Sequence, residues 1–183
     1  MRIETWDAAF VRARRKDIHP LIGLPVEDYG AWWPGLGGRV RPDGRVELRL
    51  RPPGLWRRRH RVLVTVRKIR PNLGIDYTYD GDLRGEAEFF YVDEPAGVVV
   101  NYVVRADVRG RGRLARRLAR DHRAVGRAAL DALKDHFEHG RIVGSEPDPA
   151  LLADQRQAIA EFQAGVEAHA RKLASASDPD LVG

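Results

Sequence analysis

The sequence predicts a domain of the α+β class: an antiparallel sheet, then one long helix, then a second C-terminal helix. Two observations carry this. Across residues 37–107 apolar side chains recur at every second position in short runs separated by turn chemistry. Across 113–138 the period lengthens to that of an amphipathic helix, and another run at 3–4 spacing follows from Pro149.

Each element has its own signal. Residues 5–14 read as a first strand, with Phe10 among small and β-friendly neighbours. The following KDIHPLIGLPVEDYGAWWPG is broken by Pro20 and Pro25, which fits two short helices near 17–23 and 26–32. Val46, Leu48 and Leu50 then alternate with charged residues, and Val62, Val64 and Val66 repeat the pattern. So do Ile75, Tyr77 and Tyr79, then Ala87, Phe89 and Tyr91, where Phe90 blurs the alternation. Val98, Val100, Tyr102 and Val104 close the series. Turn residues at 42–44, 71–72, 80–82 and 94–97 separate the runs, so successive strands form an antiparallel meander with one wet face.

In the long helix, Leu114, Leu118, Val125, Ala129, Ala132, Leu133 and His136 share one side, and Arg116, Arg120, Arg123 and Arg127 the other. Gly140 closes it. The last helix is capped by Asp148, starts with Pro149, and carries Ile159, Phe162, Val166, His169 and Leu173 as a narrow seam. The residues from Ser175 onward read as frayed.

The chain has 183 residues, 43% of them hydrophobic and 32% charged, which suits one soluble domain with an appendage. No stretch approaches the roughly 18 apolar residues of a membrane helix, and charge with Trp6 stands where a signal peptide is apolar. A cytoplasmic location is expected. The absence of cysteine fits it and excludes disulfides, thiolate metal sites and cysteine nucleophiles. The net charge of +6 is uneven: residues 144–183 carry −4 and residues 1–143 carry +10. Opposite charges favour folding the acidic tail onto the basic body; covering a cavity opening, or pairing with a second copy, would also bury its seam.

The order of elements, strand, two short helices, antiparallel strands and one long helix, resembles the START-like superfamily, which includes Bet v 1 allergens and polyketide cyclases or dehydratases. Local segments carry the likeness. VEDYGAWWPGLGG (26–38) resembles the second short helix and its aromatic-Pro-Gly step, DLRGEAEFFYVDEPAGVVVNYVV (82–104) the penultimate hairpin, and ALDALKDHFEHG (129–140) the end of the final helix. The resemblance spans roughly 5–143. It implies a helix-grip fold over residues 1–143, a curved antiparallel sheet around the long helix; the helical extension over 144–183 lies outside the resemblance. It also implies an apolar cavity that holds a lipid, polyketide or aromatic compound, for carriage, storage or chemistry.

The candidate wall of that cavity is Trp33, Tyr77, Tyr79, Phe89, Tyr91 and Tyr102, with Leu118 and Val125 from the helix; the alternation alone fits a filled core equally. Asp121 and His122 sit on or beside the apolar stripe, where they would orient a ligand or move a proton in a cyclase or dehydratase. The plainer reading pairs Asp121 with Arg117 and leaves His122 at the stripe edge in water. Asn101 and Arg105 belong by alternation to the outer face.

Arg109, Arg111, Arg113, Arg116, Arg117, Arg120, Arg123 and Arg127 cluster without interleaved aromatic residues, which describes a solvated helix face better than a nucleic-acid site. Their expected uses are docking the acidic tail and transient contact with an anionic membrane. Nucleic acid is therefore not the expected partner. The glycines at 35–38 lack the helix and lysine of a phosphate loop, and His136 with His139 lacks a third ligand, so neither cofactor nor metal is expected. Monomer and homodimer are both open.

Overall fold

Every second residue of β7 points at the long helix, and the rest of the architecture is arranged around that face. The computed structural model describes residues 1–50, 60–110, 112–142 and 145–176. Its strands are β1 (Arg2–Val11), β2 (Leu36–Val40), β3 (Val46–Leu50), β4 (His60–Arg70), β5 (Gly74–Gly81), β6 (Leu83–Glu94) and β7 (Gly97–Val108). They form one antiparallel sheet in the order β1-β7-β6-β5-β4-β3-β2. Its helices are α1 (Arg15–Ile22), α2 (Gly112–Glu138) and α3 (Pro149–Ala176), with a short 3₁₀ helix at Val26–Ala31.

The first strand starts and stops earlier than its sequence suggested, because residues 2–4 pair with the end of β7 and the chain turns at Arg12 towards α1. The expected second short helix is a 3₁₀ turn, as suits a six-residue segment between prolines. Val66 lies opposite inward-facing Tyr77, in step with Val62 and Val64, yet it is 39% exposed; the register shifts just beyond it, between Val66 and Lys68. Arg111, Gly144 and the tail beyond Ala176 lie outside the described residues.

α2 lies along the inner face, burying Ala115, Leu118, Val125, Ala129, Leu130 and Leu133. Leu130 is wholly buried although it falls outside the predicted stripe, whereas His136, counted within that stripe, is exposed. A sheet that meets the helix over a wide arc reaches Leu130; near the C-terminal end the side of the helix turned to β1 carries Lys134, Phe137 and Glu138, and His136 lies off it.

The same helix solves the edge problem of β1. Arg127 donates to the carbonyl of Ala8 (3.0 Å), Lys134 to that of Phe10 (2.8 Å), and the Arg12 amide donates to Glu138 (3.0 Å). Backbone groups on the open side of an edge strand are thus paired by side chains.

Asp148 caps α3 as expected, accepting from the Ala150 amide at 2.9 Å. The first turns of α3 dock on their own domain. Buried Gln155 donates to the carbonyls of Glu94 and Gly97 in the β6–β7 turn, and Asp154 pairs with Arg14 at 2.9 Å. Beyond that the helix leaves the body: every residue over 161–175 is exposed.

Leu130→Ala removes a fully buried side chain from the sheet–helix contact. Urea unfolding is expected to show a loss of about 2–5 kcal/mol. A loss within about 0.5 kcal/mol, the usual range for a surface position, would mean α2 does not pack as described.

Candidate functional site

Aromatic rings from four elements meet between the sheet and α2. Strand alternation turns Tyr77 and Tyr79 of β5, Phe89 of β6 and Tyr102 of β7 inward, and all are buried. The 3₁₀ helix brings Tyr29, with Trp32 and Trp33 just behind it, to the same place. Phe89 and Tyr102 stack at 4.6 Å, and Trp33 stands edge-on to both at 5.8 and 5.5 Å. The Trp33 indole N–H donates to the carbonyl of Val125 at 2.9 Å, tying the 3₁₀ segment to the middle of α2.

Polar atoms thread this apolar cluster in two chains. The Tyr79 and Tyr102 hydroxyls lie 2.6 Å apart, and the Tyr102 hydroxyl lies 3.5 Å from His122 Nε2. The Tyr29 hydroxyl meets the Ile22 carbonyl and the Tyr77 hydroxyl, each at 2.5 Å. Burial pushes the hydroxyls of Tyr77, Tyr79, Tyr91 and Tyr102 well up from the ordinary tyrosine value, and that of Tyr29 up to about 12. At neutral pH these groups are neutral donors and acceptors, suited to a ligand carbonyl or hydroxyl rather than to acting as phenolate bases.

An enclosed space of about 10 Å³ lies beside the first chain, bounded by Trp33, Leu36, Tyr79, Tyr102, His122 and Val125. That volume suits about one water. Trp33, Tyr77, Tyr79, Phe89 and Tyr102 thus lie together, and their rings nearly fill what they surround.

His122 is buried against Tyr79 and Tyr102, not in water at the edge of the stripe. Asp121 is also buried, with Arg117 Nε at 3.7 Å and Arg120 Nε at 3.8 Å, so the expected pairing with Arg117 is present. Tyr91 stands apart from the cluster, its hydroxyl 3.2 Å from His19 Nδ1. Asn101 and Arg105 face outward as alternation required. Asn101 is nevertheless buried, because Trp6 covers it and donates to its side-chain oxygen at 2.8 Å; Arg105 pairs with Glu4 at 2.9 Å.

Three solved structures share this fold. A START superfamily protein from Mycobacterium smegmatis is 18% identical, with a TM-score of 0.56 over 74% of this chain and 97% of that one. The Zhui aromatase/cyclase from Streptomyces sp. R1128 is 14% identical, with a TM-score of 0.60 over 80% of this chain and 100% of that one. The di-domain ARO/CYC StfQ from the steffimycin biosynthetic pathway is 15% identical, with a TM-score of 0.57 over 75% of this chain and 51% of that one, so this chain spans about half its length. The fold is the helix-grip fold. The resemblance to the START-like superfamily thus holds at the level of architecture. No protein-family model matches the sequence, and no curated protein matches it.

Within the helix grip, the arginine face of α2 is largely engaged at home. Arg117 and Arg120 flank Asp121, Arg123 approaches Asp7 at 3.8 Å, and Arg127 pairs with Asp131 at 2.7 Å. Among the described residues no three His, Asp or Glu side chains gather as a metal site, and no helix is long and apolar enough to cross a membrane. Sequence reasoning missed Tyr29, Trp32 and Gly126. The first two lie beside Trp33 in the segment 26–38 already matched to the second short helix, and their aromatic spacing was a usable signal. Gly126 had none: only the structure shows that a Cβ there would lie 2.9 Å from the Tyr102 ring.

All five tyrosines are buried with raised hydroxyl pKa values. The folded state keeps protons that the unfolded chain releases near pH 10, so these groups' stabilising contribution is full below that value and declines above it. An ultraviolet pH titration is expected to show no phenolate absorbance until the circular dichroism of the fold is lost. Phenolate appearing near pH 10 in folded protein would contradict the buried chains.

Proposed function

We propose that this protein binds an apolar small molecule of aromatic character between the sheet and α2, as a carrier or store. The observation that carries the reading is the Tyr79–Tyr102–His122 chain, polar groups buried in an aromatic wall beside an enclosed space. Apolar surroundings with a few placed polar atoms are the usual composition of a small-molecule site. The 3.5 Å step to His122 is long for a hydrogen bond, which suits a chain that tightens around a ligand's polar atom. Two similar structures are aromatase/cyclases by name, which supports an aromatic ligand.

A ligand of two or three rings needs more room than about 10 Å³. Trp33 and Tyr102 must therefore swing aside. The 3₁₀ helix leading to Trp33 is the element suited to yield, since it is short and such helices have poor hydrogen-bond geometry. Breaking the Trp33–Val125 bond would be the first step.

The burial of His122 against Tyr102 also supports a second reading, proton transfer in a cyclase or dehydratase. Asp121→Asn combined with His122→Gln separates the two. Retained binding with lost turnover supports the enzyme, and unchanged turnover of a confirmed substrate removes these residues from any catalytic role.

The binding reading is tested by fluorescence titration with 2-naphthol. Tyr102→Phe deletes one hydroxyl of the chain and is expected to weaken binding about tenfold, the worth of one net hydrogen bond. Val125→Ile adds one methylene group, about what the space holds, and is expected to weaken binding while circular dichroism remains native. Undiminished affinity in both variants would place the probe elsewhere and overturn the proposal.

A further inference from the structure

Much of the positive charge on the body is paired within the chain, but at one end of the sheet it is not. The antiparallel order brings the starts of β1, β6 and α2 and the end of β7 to this end. Register sets Arg2 and Arg84 on either side of Asp107 in neighbouring strands. The Arg109 amide donates to the Asp82 carbonyl at 2.8 Å, which ties the turn after β7 to the start of β6. Arg113 and Arg116 follow in α2, three residues apart and on one side of the helix. These arginines are all exposed, and among the described residues none of their side chains has a salt bridge or hydrogen bond. The Met1 ammonium group joins them, donating to the Val108 carbonyl at 3.5 Å. Asp80 and Glu4 are taken by Arg45 and Arg105, which leaves Asp82 and Asp107 as the carboxylates facing this group.

Two features set the cluster apart from an ordinary solvated face. The first turn of α2 holds no acidic residue, although a helix start favours negative charge, and Arg113 stands there instead. Like charges gathered at this end repel one another, and an anionic partner relieves that repulsion. In addition, the acidic tail docks elsewhere. Asp154 of α3 pairs with Arg14 and Lys16 beside the start of α1, at the opposite end of the sheet.

We propose that this arginine end docks on the headgroups of an anionic lipid surface. The choice of a lipid over a nucleic acid rests on the binding reading above. The enclosed space lies toward this end: Tyr79 is two residues from the end of β5, Leu48 two from the end of β3, and Leu36 opens β2. The larger open groove beside α3, about 420 Å³ and lined by Leu73, Val92 and Phe162 among others, lies toward the other end. An apolar ligand in the enclosed space is therefore held on the side that meets the lipid. Nucleic-acid binders place aromatic platforms among their cations. Trp6, the exposed ring on the same face of β1, stands beyond Glu4 and Arg105 and does not interleave with these arginines.

Co-sedimentation with vesicles of phosphatidylcholine, alone or with about one part in four of phosphatidylserine, tests this. The full chain is expected to sediment with the anionic vesicles and not the neutral ones, and to be released as salt rises from about 50 to about 500 mM. Arg113→Gln with Arg116→Gln is expected to weaken binding about 25-fold, at about fivefold for each arginine near the surface. Circular dichroism should not change, since both side chains are exposed and unpaired. Lys16→Gln with Lys68→Gln removes the same charge toward the other end of the sheet and is expected to have little effect. Equal losses in the two variants would reduce the effect to net charge and overturn the proposal. So would the absence of sedimentation, or arginine-dependent binding of duplex DNA in place of vesicles. Titration with 2-naphthol keeps the two claims apart. Unchanged naphthol affinity without vesicle binding removes the docking surface alone, whereas vesicle binding without naphthol affinity supports docking and removes the internal site.

Discussion

The distance between sheet and helix is set where the Tyr102 ring rests on Gly126. A Cβ at residue 126 would lie 2.9 and 3.1 Å from two ring carbons, so only glycine lets β7 and α2 come this close. Everything in the candidate site is referred to that ring. Phe89 stacks on it, Trp33 abuts its edge, and Tyr79 and His122 reach its hydroxyl. Moving Tyr102 would therefore disturb the apolar packing and the polar chain together, and packed interiors transmit such shifts because they hold few voids.

α2 has a second task, which explains much of the charge on the body. Its inner side meets the aromatic layer, while Arg127, Lys134 and Glu138 pair the open backbone of β1. Arg117, Arg120 and Arg123 lie close to Asp121 and Asp7. A positive helix face that looks like an anionic-partner site in the sequence is, at these positions, a set of local pairings. The two pairs with Asp121 lie within α2, whereas Arg123 with Asp7 reaches from the helix to β1.

The sheet was legible in the sequence because alternation follows directly from the pleat: Tyr77, Tyr79, Phe89 and Tyr102 all face inward as their spacing required. The rest depended on contacts between segments far apart in the chain. Val66 keeps the register of Val62 and Val64 yet is 39% exposed, and no local pattern marks the bulge just beyond it. Leu130 is buried and His136 exposed because near its C-terminal end α2 turns Lys134 and Glu138, not His136, towards β1, which a helical wheel does not represent. Asn101 reads as a surface residue until Trp6 of β1 is laid over it. His122 was visible as a residue beside the apolar stripe, but its place against two tyrosine rings depends on strand register. Hydroxyl pairing between Tyr79 and Tyr102 also depends on three-dimensional approach, and periodicity says nothing about it.

The central claim is that the space between sheet and α2, rather than the larger groove beside α3, receives the apolar ligand. Aromatic and imidazole NMR resonances, followed while a two-ring probe such as 2-naphthol is added, test it most directly. The account predicts the largest shifts at Tyr79, Tyr102 and His122, with contacts between probe and Trp33. Shifts confined to Phe162, Leu73 and Val92, with the Tyr102 ring undisturbed, would contradict it.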